Sequence, residues 1–204
     1  MKNNITAYLK SGAEEFPDSA YGPGYRCSAY LTDGTFLPCV MLRSSAATVQ
    51  LALRRFEQEK KGLGVFRRKG AYEEIVKTFV TEGNRINSYD IATVEPSRHA
   101  IPLALLRQIR GETTMAWTGF VFEMTDGRCF AYGTTFLMEF FDLPAGYAFQ
   151  DVRKVHNHSY VAPGGEVRSL REGMADQPAD YDPTTVLREK PYFVCYHDAW
   201  QEDK

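Results

Sequence analysis

The residues best suited to chemistry in this chain are two short runs, His156-Asn157-His158 and Cys195-Tyr196-His197. Along a strand, residues two apart point the same way, so a His-x-His pair and a Cys-x-His pair each offer two metal ligands on one face. If the two strands are neighbours, His156, His158, Cys195 and His197 surround one zinc ion, with Asp198 as a carboxylate behind them. Such a site implies a zinc-dependent hydrolase with metal-bound water as the nucleophile. The plainer reading leaves the histidines in solvent near strand ends and buries Cys195 as a thiol inside the apolar run PYFVCYH. A nucleophile pair, Cys129 or Cys195 with His156, needs the fold to join residues that the sequence leaves apart. No catalytic residue is assigned from sequence.

A second cluster is basic. Arg54, Arg55, Lys60, Lys61, Arg67, Arg68 and Lys69 stand against Glu57 and Glu59, with Phe66 among them. Placed at a helix end and in the loop that follows, these cations could grip a phosphate backbone. The structural alternative is that they favour the carboxyl end of a helix dipole, with Glu57 pairing to Lys61. The run GLGVFRRKG has neither the spacing of a phosphate-binding loop nor a preceding strand, so no nucleotide cofactor is expected.

These residues need elements to hold them. Residues 1–24 read as a partly helical lead-in, and 25–42 as a hairpin broken at Thr32-Asp33-Gly34. Ser44 or Ser45 caps a helix carrying Val49, Ala52, Leu53 and Phe56, and Tyr72, Ile75, Val76, Phe79 and Val80 mark a second helix closed by Gly83. Ile86, Ile91 and Val94 belong to a strand, and Ile101–Gly111 to a short buried helix with Pro102 in its first turn. A strong hairpin spans 117–141, and a strand or short helix follows at 148–161. Residues 164–190 are polar and loop-rich, and PYFVCYH is a last strand. The sum is an α+β fold: a mixed, mainly antiparallel sheet with two Thr-Asp-Gly hairpins and about three helices.

The hairpins can be read in more detail. With a three-residue Thr-Asp-Gly loop, Glu123 faces Cys129, Phe122 faces Phe130 and Phe120 faces Tyr132. The pleat then gathers Phe120, Phe122, Met124, Phe130, Tyr132, Phe136, Met138 and Phe140 on one face. Gly119, Val121, Glu123, Cys129, Ala131, Gly133 and Glu139 fall on the other. The same loop at residues 32–34 sets Cys27 opposite Cys39, with Ala29, Leu31 and Leu37 beside them. Only three of eighteen aligned residues agree between the hairpins, and Thr-Asp-Gly is a common turn, so the likeness reads as convergent. Glu123 and Glu139 lie about 33 Å apart along a straight strand pair, too far to act together.

Composition narrows the function. A 204-residue chain with 44% hydrophobic and 25% charged residues can bury a substantial core, and one compact domain over 1–204 is expected. A formal charge of −2 supplies no global attraction for nucleic acid or anionic membrane, so only a local patch could bind either. No segment has the apolar length of a membrane span or of a signal peptide, and four cysteines without a Cys-x-x-Cys pair read as reduced thiols. The expectation is a cytoplasmic, non-catalytic binding protein whose partner is another protein. A zinc hydrolase and a nucleic-acid or phosphate-backbone binder are the alternatives, and no cofactor other than that zinc is expected.

Overall fold

The computed structural model describes residues 4–18, 22–46, 49–50, 53–54, 84–114, 116–135, 138–170 and 178–197. In chain order the elements are α1 (Asn4–Lys10), β1 (Glu15–Phe16), β2 (Gly24–Leu31), β3 (Phe36–Ser44), β4 (Arg85–Ile86), β5 (Ile91–Pro96), α2 (Leu103–Leu106), β6 (Thr118–Met124), β7 (Cys129–Thr134), β8 (Val152–Asn157), β9 (Ser159–Val161), β10 (Val167–Ser169), β11 (Leu187–Arg188) and β12 (Phe193–His197). The fold is sheet-rich, with mixed sheets. Ser45, Ala46, Val49, Gln50, Leu53 and Arg54 are helical where the first long helix was expected, and the second, at 72–83, lies outside the described residues. Within the chain two compact units are distinguished, Met1–Pro96 with Tyr192–Lys204, and Ser97–Pro191.

In the first unit, β2 pairs antiparallel with β3 and with β5, while β12 runs parallel to β3 and to β4. Cys27, Ala29, Leu37, Val40, Leu42, Ile91 and Cys195 form one core face with Ile5 of α1. On the opposite face Arg43 is buried, and its guanidinium donates to Asp18 Oδ2 at 2.7 Å and to the Gly22 carbonyl at 2.9 Å. Arg26 reaches Glu14 at 3.3 Å and lies 4.7 Å from the centre of the Phe16 ring. Buried cations need such partners, and here they hold the 14–18 segment against the sheet.

In the second unit, β6 pairs antiparallel with β7 and with β8, and β11 runs parallel to β7. The register is the one a three-residue loop requires: Glu123 opposite Cys129, Phe122 opposite Phe130, Phe120 opposite Tyr132. Phe120, Phe122, Met124 and Tyr132 fill the core with Ile101, Phe141, Leu143 and Phe149, and Leu105, Leu106 and Ile109 of the α2 segment pack on it. Phe120 stacks on Tyr132 at 5.4 Å. The other face is closed by the β9–β10 hairpin and its neighbours, where Val161, Val167, Tyr181 and Val186 meet Val121 and Ala131.

The likeness of the two units extends beyond their turns to one shared plan. Each has a helix, a hairpin, a strand antiparallel to the hairpin's first arm, and a last strand parallel to its second arm, giving the orders β5-β2-β3-β12 and β8-β6-β7-β11. The correspondence extends to single bonds. Leu31 N–H donates to Thr35 C=O as Met124 N–H donates to Arg128 C=O, each at 2.8 Å. Asp33 and Asp126 accept from the backbone N–H two residues on, at 2.9 and 3.0 Å. A 3-10 turn, Ser88–Asp90 or Phe149–Asp151, precedes β5 or β8. Its last carbonyl takes the Thr32 or Thr125 N–H at 2.8 Å in both. Even the bulges correspond, between Tyr30 and Leu31 and between Glu123 and Met124. A shared turn does not impose that topology, so the two units are a structural repeat in pairing order and bonds.

One register differs from expectation. Ala29 faces Leu37, but Cys27 faces Val40 rather than Cys39, because β3 bulges between these pairs. Pro38 sits at the bulge, where a residue without an N–H is tolerated. Cys39 thereby leaves the face shared by Cys27 and Ala29.

Gly34 and Gly127 have φ of +88° and +84°, the left-handed conformation the turns need. Gly119 and Gly133 are small for another reason. The Trp117 ring lies over both, and a Cβ at either would come within 2.5 Å of a ring carbon. Gly133→Ala is therefore expected to lower stability by about 1–3 kcal/mol through overpacking. Thermal or urea unfolding checks this, and an unchanged midpoint would show that the indole is not held there.

Candidate functional site

Each predicted ligand has a place. His156 lies in β8 of the second unit, Cys195 and His197 in β12 of the first, and β12 pairs with β3 and β4 while β8 pairs with β6. Among the described residues β8 and β12 are thus not paired with each other, the neighbourhood that the four-ligand zinc reading assumed. Nor do His156 and His158 share a face by strand alternation, since His158 has a φ of +50° and turns the chain from β8 into β9. His158 N–H donates to Gly119 C=O at 2.9 Å, its carbonyl accepts from Leu170 N–H at 2.6 Å, and its Nδ1 lies 3.0 Å from Thr113 Oγ1. It works as a corner pin. Cys195 is buried in the first core, and desolvation pushes its thiol up to about 12. Asp198 lies outside the described residues, and among those described no three His, Cys, Asp or Glu side chains are grouped to hold a metal. Of the basic segment, Arg54 is helical and exposed; Arg55, Lys60, Lys61, Arg67, Arg68 and Lys69 lie outside the described residues.

What the second sheet does assemble is a polar cluster around Glu123. The register aligns Cys129, Glu123 and Lys154 in one row across β7, β6 and β8, and Ala131, Val121 and His156 in the next. The bulge opposite Glu123 leaves Arg153 outside the regular pairing. Its guanidinium bonds Glu123 Oε1, and His156 Nε2 lies 2.8 Å from Glu123 Oε2. Glu123 is mostly covered, with 16% of its side chain exposed. The bonds from His156 and Arg153 hold its carboxyl below the ordinary range. The signal for this cluster was Glu123 interrupting an otherwise apolar strand face; nothing local pointed to Arg153.

The same geometry decides against a thiol nucleophile. Cys129 and His156 share a face but are separated by β6, a lateral gap of about 10 Å for two strand spacings. Glu123 stands between them and takes the imidazole. The Cys129 thiol is pushed up, first by desolvation and then by the Glu123 charge, and so stays protonated near neutral pH.

Cys129 also lines a cleft of about 380 Å³, formed with Phe130, Ala131, Pro144, Val161, Pro163 and Leu187 and bearing Asp182 and Thr185 as its polar side chains. That volume suits a small ligand or a few residues of chain. Asp182 accepts from Thr184 N–H at 2.9 Å and Oγ1 at 2.6 Å, which lowers its pKa and fixes the carboxylate.

Because Glu123 raises the thiol pKa, Glu123→Gln is expected to move the pH midpoint of Cys129 alkylation downward and to speed alkylation at neutral pH. The desolvation remains, so the midpoint stays above that of an exposed thiol. Alkylation rates across pH check this; a midpoint that stays put or rises would remove Glu123 from the account. The chain matches no family model, and no curated protein or solved structure is found similar to it.

Proposed function

We propose that this chain is a non-catalytic binding protein that takes its partner, a protein, at the cleft beside β7. The observation that carries the reading is an apolar cleft of about 380 Å³ whose one thiol, Cys129, is kept protonated while the nearby imidazole is held by a carboxylate. A site that binds without reacting needs that combination: apolar area for affinity, a few fixed polar groups for orientation and no activated nucleophile. A cytoplasmic location fits four cysteines left as thiols. Among the described residues no helix is long and apolar enough to cross a membrane. Binding of nucleic acid or a phosphate backbone through the basic segment 54–69 is kept as an alternative.

The fluorescent apolar probe anilinonaphthalene sulfonate is expected to bind the folded protein and to lose most of its signal on Ala131→Trp, which fills the cleft. Equal signal in both proteins would contradict a cleft-based function. Protein purified without a histidine tag is expected to carry zinc far below stoichiometry; full occupancy lost in His158→Ala would replace this reading with the hydrolase.

A further inference from the structure

We propose that the cleft is an open strand edge that accepts an extended peptide segment of a partner protein, adding it parallel to β7 in line with β11. This deepens the binding function proposed above and rests on it. The argument starts from the backbone. Met124 N–H bonds Arg128 C=O, so the antiparallel alternation makes Phe122–Phe130 and Phe120–Tyr132 the hydrogen-bonded pairs. Glu123–Cys129 and Val121–Ala131 are then the non-bonded pairs, and the N–H groups of Cys129 and Ala131 point away from β6. On that side β11 begins only at Leu187, opposite Tyr132. The preceding residues, Pro183–Thr185, turn off as a 3-10 helix. Among the described residues neither the Cys129 nor the Ala131 N–H has a backbone partner. Both residues, with Phe130 between them, line the cleft.

The repeat shows that this edge is distinctive. In the first unit β12 likewise begins opposite the matching residue, Phe193 against Val40, so the same stretch of β3 is left beyond its reach. Counting from the turn, the residue of β3 that corresponds to Ala131 is Pro38, each directly following its unit's paired Leu37 or Phe130. Proline has no N–H to offer, a usual way of closing an edge to a further strand. The first unit thus blocks the position at which the second presents a donor.

An extended peptide fits what surrounds that donor. Strand addition supplies main-chain partners at the spacing of Cys129 and Ala131, while its alternate side chains enter apolar walls. Here those walls are Val161, Pro163, Pro144 and Leu187. A compact apolar molecule fills the same volume but leaves the donors unmet, which favours the peptide.

The test pans a phage-displayed library of linear peptides against the full chain and carries the enriched peptides into exchange and affinity measurements. Enriched peptides are expected to slow hydrogen exchange at the Cys129 and Ala131 amides by roughly tenfold or more. Their affinity is expected to fall by roughly tenfold in Ala131→Pro, which transplants the first unit's own residue, and to be unchanged in Pro38→Ala. Should Ala131→Pro fail to fold, the exchange measurement on the unmodified chain decides alone. No enrichment, or protection elsewhere, overturns the peptide proposal. If the apolar probe still binds the cleft in that case, the binding function stands without it; if neither binds, both fail.

Discussion

A left-handed glycine ends each Thr-Asp-Gly loop, and through it the register of both hairpins is set. With Gly127 in that conformation, Glu123 must face Cys129, and the strict two-residue period of a strand then assigns every following side chain to a face. Phe120, Phe122, Met124 and Tyr132 go to the core, and Val121, Glu123, Cys129 and Ala131 go to the face that carries the cleft and the Glu123 cluster. The same turn fixes which backbone groups face the neighbouring strand and which face outward. A slip of one residue would send the aromatics to the cleft and the charge to the core, so core and site depend on one constraint.

This constraint is local, which is why so much of it was legible. Three residues determine the loop, and the alternation of PheValPheGluMet does the rest. Other features rest on distant partners. The parallel strands β11 and β12 join residues far apart in sequence, and neither short run announces which neighbour it takes. The shared plan of the two units was hidden for the same reason, since it lies in pairing order rather than in residue identity. Cys27 and Ala29 stand in one core where Phe120 and Phe122 stand in the other. Pro38 was a visible warning that the register of β3 would shift. His158 gave no warning: glycine is the usual residue at positive φ, and a histidine there broke the alternation on which the zinc reading relied.

The repeat gives an internal way to separate scaffold from function. Features common to both units, such as the paired aspartate turns and the bond from the 3-10 carbonyl, maintain the fold. Features found in one copy are free to serve something else. At matched places the first unit has Tyr30, Phe36, Pro38 and Glu95 where the second has Glu123, Cys129, Ala131 and His156. The Tyr30 and Phe36 rings meet at a tilt, with centroids 4.7 Å apart, and remain exposed. The second unit instead holds a bonded carboxylate and an open edge beneath a partial cover. It is this divergence on a constant frame on which the proposed binding role of the second sheet rests.

The measurement closest to the central claim is residue-resolved amide hydrogen exchange on the free protein. If β7 has an open edge, the Cys129 and Ala131 amides exchange much faster than those of Phe130 and Tyr132, which are locked into the ladder with β6. Equal protection at all four positions would mean that another part of the chain already occupies the edge, and the binding site argued from it would not exist.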